Sequence, residues 1–289
     1  MNILKRLLDF YITSSIHVAL SVYALVRMTG FLFDIVEIQP AAHFAFFGTI
    51  VGYNFVKYDA LARTQKLQMR TELKLIAILS FLSFLATGYY FFKLEQTTQI
   101  IAIGFLTLTM LYTLPFFPNR KNARNWAGVK IYIVALCWVG VTLFLPIINA
   151  GIQLTLDVFV ISVQRFILIF VLILIFEIID LQVDDPNLKT VPQQIGVERT
   201  KIVGAVLLLL FILLCFFQID FSFPSLIVRS GVAFTILFFL LFAHEKQSKY
   251  YSTFWVESIP ILWWILLLFF VGKKQKKQNG KSNSRSDNQ

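Results

Sequence analysis

The sequence predicts an all-α fold, a polytopic membrane helix bundle of about nine transmembrane helices. Three observations lead there. Hydrophobic residues make up 57% of the 289 positions and the mean hydropathy is +0.73, too apolar for a soluble domain of this length. Apolar windows of about 20 residues, the length that crosses a hydrocarbon core, recur along the chain. Basic residues gather in alternate loops between those windows.

The windows lie near 11–30, 39–57, 75–92, 98–117, 131–149, 158–179, 202–219, 224–243 and 254–272. "MNILKRLLDF" enters the first without a small-residue cleavage site, so no cleavable signal peptide is expected. The N-terminus carries Lys5 and Arg6, and the loop after the second window carries Lys57, Arg63, Lys66, Arg70 and Lys74. Arg120, Lys121, Arg124 and Lys130 follow the fourth; Lys189, Arg199 and Lys201 follow the sixth; Lys246 and Lys249 follow the eighth. The opposite loops, "FDIVEIQP", "KLEQTTQI", "NAGIQLTLD" and "QIDFSFPS", hold only Lys93. This asymmetry puts the N-terminus and the base-rich loops in the cytoplasm, as expected of a multi-pass protein of the inner (cytoplasmic) membrane.

Residues 1–272 form the expected transmembrane domain, and 273–289 a basic, disordered tail with no apolar residue to pack. With nine spans the tail falls on the outer side; an eight-span or re-entrant ending is the alternative. The net charge of +10 sits in loops, which the positive-inside distribution explains without a nucleic-acid partner. Cys137 and Cys215 fall inside spans and fit no disulfide framework. Arg27, Arg165 and Arg229 lie within or near spans, which is expensive in lipid and points to the bundle interior or to the interface; Arg165 has the further option of snorkelling outward.

One stretch carries chemistry. The polar-free run "FILIFVLILIF" ends in "EIIDLQVDD", residues 177–185. On a continuing helix Glu177, Asp180 and Asp184 share one face at i, i+3 and i+7. Each close carboxylate pair costs about 3 kcal/mol at an effective dielectric of about 20. The negative end of the helix dipole adds to this. Such a cluster calls for a hard divalent cation. The alternative is a merely solvated span end, but that needs no shared face, and the other cytoplasmic ends use Lys and Arg.

"EIIDLQVDD" resembles the second aspartate-rich motif, D-x-x-D-x-x-x-D, of the UbiA-type membrane prenyltransferases, with Glu177 in the first place. "NLKTVPQQIGVERTKIV" is similar to the stretch that follows it in that family. The resemblance implies helices around a central cavity, two acidic motifs facing each other across it, and Mg²⁺ holding the diphosphate of an isoprenyl donor. The partners it implies are an isoprenyl diphosphate, a lipophilic acceptor and the bilayer. Asp180, Asp184 and Glu177 would be metal ligands, joined by Asn54.

The family's first motif, N-D-x-x-D-x-x-x-D, falls on "GYNFVKYDALA". Asn54 matches, whereas Phe55, Tyr58 and Ala62 stand where the acids belong. Asp59 lies about 100° of helix off that face. Either one Mg²⁺ suffices, or Lys57 and Arg63 take the diphosphate, or the donor carries none, or transfer is lost. After the fourth span that family has Tyr followed by Lys-Arg, which Tyr112 and the pair Arg120-Lys121 resemble at a longer spacing; Arg124 and Lys130 are equal candidates to clamp phosphate oxygens. The function expected is Mg²⁺-dependent transfer of an isoprenyl group to an acceptor the sequence does not name. The alternatives are a non-catalytic lipid-binding relative and a transporter.

Overall fold

The computed structural model describes residues 3–64, 71–113, 128–184, 188–219 and 221–270; the side chains of 59–64, 71 and 110–113 also lie outside that description. Among the described residues there is no β-strand. The helices are α1 (Ile3–Thr13), α2 (Ile16–Leu32), α3 (Gln39–Thr64), α4 (Thr71–Phe91) and α5 (Gln96–Thr113). After them come α6 (Lys130–Asn149), α7 (Leu156–Ile179), the short α8 (Val191–Ile195), α9 (Val197–Leu213), α10 (Phe223–Phe242) and α11 (Tyr251–Phe270). Over its described residues each apolar window overlaps a helix, the first of them two. Among the described residues six helices are long and apolar enough to cross a membrane, or seven if α1 and α2 count as one bent span, where the sequence predicts nine.

The first window is broken. Ser14 and Ser15 interrupt it, Ser15 adopts φ 64°, and α1 leaves α2 at 58°. Hydroxyl side chains compete with helical hydrogen bonding, and a left-handed residue cannot propagate a helix. α1 keeps Ile3, Leu4 and Leu7 exposed, whereas α2 is buried over much of its length. The Lys249 ammonium holds Asp9 of α1 at 2.8 Å, and that carboxylate keeps the lysine's pKa above its ordinary value.

Neighbouring helices pack side by side: α2 on α3, α3 on α4, α5 on α6, α6 on α7, α7 on α9, α9 on α10 and α10 on α11. α11 returns onto α2. The most apolar segment, α7, is 72% buried and is the axis of the main core; Phe211, Trp263, Val232, Ile236 and Leu25 pack there.

Two spans contain a π-turn, Gly140–Phe144 in α6 and Tyr251–Val256 in α11. At the first, Thr142 O accepts from Thr29 Oγ1 and from Arg165 Nη1, both at 2.7 Å. Arg165 is 0% exposed, so it does not snorkel; it ties α2, α6 and α7 together from the interior. Arg229 donates to Gln218 Oε1, and Arg27 to Tyr23 OH.

Gly140 lets α5 approach α6, because a Cβ there would overlap the Phe105 ring. Gly140→Ala is therefore expected to destabilise the protein by about 1–3 kcal/mol through overpacking. The thermal midpoint of purified protein reads this, and an unchanged midpoint would mean that the ring swings aside freely.

Candidate functional site

The polar side chains collect at the end of the bundle where α3 and α7 finish and α6 and α11 begin. The α7 helix stops earlier than the sequence spacing suggested. Asp180 caps it, residues Asp180–Gln182 tighten into a 3₁₀ turn, and the N–H groups of Val183 and Asp184 both donate to Asp180 O at 2.8 Å. Asp184 is thus not an i+7 position on a continuous helix. The tighter turn satisfies carbonyls that would otherwise be orphaned at a helix end.

The acids differ in exposure. Glu177 is buried, Asp180 exposed and Asp184 half-buried. Asp184 lies within electrostatic reach of both Glu177 and Asp180. Glu177 Oε2 accepts from Val191 N–H at 3.1 Å, so α8 folds back over the acids. The local sequence explains α8. Thr190 N–H donates to Gln193 Oε1 at 2.9 Å, Pro192 fits its first turn, and Gly196 at φ 82° turns the chain into α9. Lys130, the first residue of α6, is within electrostatic reach of Glu177 and Asp180. Gln182 extends the cluster outward, donating to Glu245 Oε2 at 2.6 Å.

Asn54 sits in a different setting from the acids. It is buried on α3, and its Nδ2 donates to Ser14 O at 3.1 Å and to Ser80 Oγ at 2.9 Å. Lys57, one turn further, donates from Nζ to Ser15 Oγ at 3.1 Å. Tyr58 donates to Thr13 O at 2.9 Å and lines a cleft of about 370 Å³ with Arg6, Asp9, Glu72 and Lys249. The side chains of Asp59, Arg63 and Tyr112 lie outside the described residues, as do Arg120, Arg124, Asp185 and the tail.

The sequence reading passed over Glu257. It lies near the start of α11, half-buried and within electrostatic reach of Lys57. His17 is nearby, bonding Tyr11 OH at 2.8 Å, Phe254 O at 2.9 Å and Ser258 Oγ at 3.1 Å. A window average hides one acid among apolar residues. The useful signal was the acid itself, because an ionisable group inside a span is a functional candidate by default.

Among the described residues no three His, Cys, Asp or Glu side chains are grouped closely enough to cage a metal. The donor set fits a less complete site. Asp184 Oδ2 is buried without a hydrogen-bond partner, and Asp180 beside it is open. Two carboxylates suit Mg²⁺, which keeps several waters and takes its remaining ligands from substrate phosphates.

No protein-family model matches the chain, and no curated protein matches its sequence. Solved structures do match. One is of digeranylgeranylglyceryl phosphate synthase, 15% identical, with a TM-score of 0.55 over 93% of this chain and 98% of that one. Another is a UbiA homologue from Archaeoglobus fulgidus bound to Cd²⁺, 14% identical, with a TM-score of 0.54 over 90% and 99%. The chain has the UbiA-type fold and is an integral, multi-pass membrane protein.

Proposed function

We propose that the protein is a Mg²⁺-dependent membrane prenyltransferase, which takes an isoprenyl diphosphate and a lipophilic acceptor at the cytoplasmic face. One observation carries the reading. On a UbiA-type fold, the apolar axis helix α7 delivers Glu177, Asp180 and Asp184 to one place, where a buried Asp184 oxygen has no partner from the protein. Asp180 and Asp184 would hold the metal. When bound, it supplies charge neutralisation for the departing diphosphate. Glu177 has one oxygen committed to α8, so it orients that cover and contributes at most its other oxygen. Lys130, within electrostatic reach of Glu177 and Asp180, would offer an ammonium to phosphate oxygens. Arg120, Arg124, Arg63, Tyr112 and Asp59 are further proposed contacts.

The test is turnover. Purified protein in lipid, given a labelled isoprenyl diphosphate, Mg²⁺ and a membrane lipid extract, should release pyrophosphate and form a labelled lipophilic product. Tight binding without product would support the non-catalytic reading instead. That reading draws on α3, where Phe55 and Tyr58 replace acids and Asn54 is held by Ser14 and Ser80.

The topology carries a separate expectation. Lys189→Cys should react with a membrane-impermeant maleimide only after permeabilisation, and Gln153→Cys in intact cells. Both positions are exposed. The reverse pattern would remove the cytoplasmic site and the prenyl-transfer reading with it.

A further inference from the structure

The position of the missing first acidic motif is not simply blank. Asn54 and Lys57 lie three residues apart on one face of α3, both bonded to the Ser14–Ser15 corner. That corner is unusual, because Ser15 is a non-glycine residue at φ 64° and its hydroxyl receives the Lys57 ammonium. A strained residue of this kind persists only where its surroundings hold it, and such residues cluster at functional sites. Asn54 is 3% exposed, yet its Oδ1 has no hydrogen-bond partner. Lys57 is exposed, so its ammonium is open to a ligand while Ser15 Oγ holds it at 3.1 Å.

Glu257, half-buried near the start of α11, lies within electrostatic reach of Lys57. Its backbone carbonyl is held by Ser21 Oγ, and His17 ties the preceding π-turn to α2, so the backbone that carries the carboxylate is anchored to α2. Lys57 has three donors, of which Ser15 takes one.

We propose that Lys57 is a built-in cation that receives the phosphate end of the ligand where relatives of this fold would need a metal-binding acid, and that Glu257 is the counterion a phosphate must displace. The ligand chemistry is a terminal phosphate or diphosphate, free or on a lipid. This rests on the prenyl-diphosphate reading for its biological ligand, but the anion site stands by itself.

The test is binding without metal. Wild-type protein in EDTA is titrated with inorganic pyrophosphate, with an isoprenyl diphosphate, and in nanodiscs containing phosphatidic acid or only phosphatidylcholine. Calorimetry or thermal shift reads the binding. Pyrophosphate should bind without Mg²⁺. Lys57→Met should weaken it about tenfold or more, the scale of one charge-assisted contact, and Lys57→Arg should restore much of it. Glu257→Gln should tighten it severalfold by removing the competing anion. A response to phosphatidic acid alone would assign the site to a lipid headgroup, and a stronger response to isoprenyl diphosphate would assign it to the donor. Should Lys57→Met fail to fold, Lys57→Arg and Glu257→Gln carry the test. Unchanged affinity in Lys57→Met, or weaker affinity in Glu257→Gln, overturns the proposal. Loss of the Mg²⁺-dependent response in Asp180 and Asp184 variants bears on the prenyl-transfer reading alone, because these acids should leave metal-free binding intact.

Discussion

The double variant Asp180→Asn, Asp184→Asn is expected to lose the joint stabilisation that Mg²⁺ and an isoprenyl diphosphate give the wild-type protein. A ligand bound only by the native state adds RT ln(1 + [L]/Kd), about 2.7 kcal/mol at a hundredfold excess over Kd. The acids have little compensation from the protein. Among the described residues, Glu177 accepts one backbone N–H, Lys130 is the base within reach of Glu177 and Asp180, and Asp184 Oδ2 has no partner. Mg²⁺ alone should bind weakly, because two carboxylates leave most of its shell to water, and the diphosphate should complete it. Thermal unfolding in Mg²⁺, in the diphosphate and in both reads the effect. A double variant that responds like the wild type would remove the acids from the site. Neutral asparagines also relieve the mutual repulsion, so the variant without ligand should be at least as stable as the parent. That separates loss of binding from loss of fold.

Thr29→Val should cost more stability than Arg165→Met. Arg165 is fully enclosed, and its Nη1 relies on Thr29 Oγ1 at 2.7 Å, Thr142 O at 2.7 Å and Thr142 Oγ1 at 3.3 Å. Its Nε and Nη2 have no partners. Valine in place of Thr29 keeps the shape but leaves the guanidinium buried with one acceptor fewer, a loss of about 2–3 kcal/mol. Methionine removes the guanidinium together with its needs and fills much of the same space, so about 1 kcal/mol or less is expected. The comparison is of unfolding midpoints in one detergent. If Arg165→Met proves the more damaging, the guanidinium is a net stabiliser and the clamp on the α6 π-turn is stronger than its three contacts suggest.

The helices were legible because a bilayer of fixed thickness demands long apolar runs, and such runs survive in the bare sequence. Details that depend on three-dimensional neighbours were not. The break at Ser14–Ser15 is two residues long and vanishes in a 20-residue average. The π-turns arise where side chains from other helices, Arg165 and Thr29 among them, capture a carbonyl. Spacing placed Glu177, Asp180 and Asp184 on one face of an unbroken helix, whereas α7 tightens at Asp180. Asn54 was assigned by its place in a motif, and only the structure shows its side chain taken up by Ser14 and Ser80. Glu257 was missed because its partner Lys57 lies 200 residues earlier in the chain.

The helix α4 stands apart from the rest. Only 11% of it is buried, it packs on α3, and Leu75, Ile78, Phe81, Leu82, Phe84 and Leu85 face outward. Hydrocarbon is therefore its solvent on most sides, and acyl chains do the work that side chains do around α7. Its anchorage then varies with the membrane. A thinner bilayer or a short-chain detergent leaves those phenylalanines and leucines poorly matched, at a fraction of a kcal/mol per Å. The α3–α4 hairpin would loosen first under such mismatch, while the helices around α7 held their places. Because α3 carries Asn54 and Lys57, lipid thickness would reach the polar end of the bundle through its most weakly held helix.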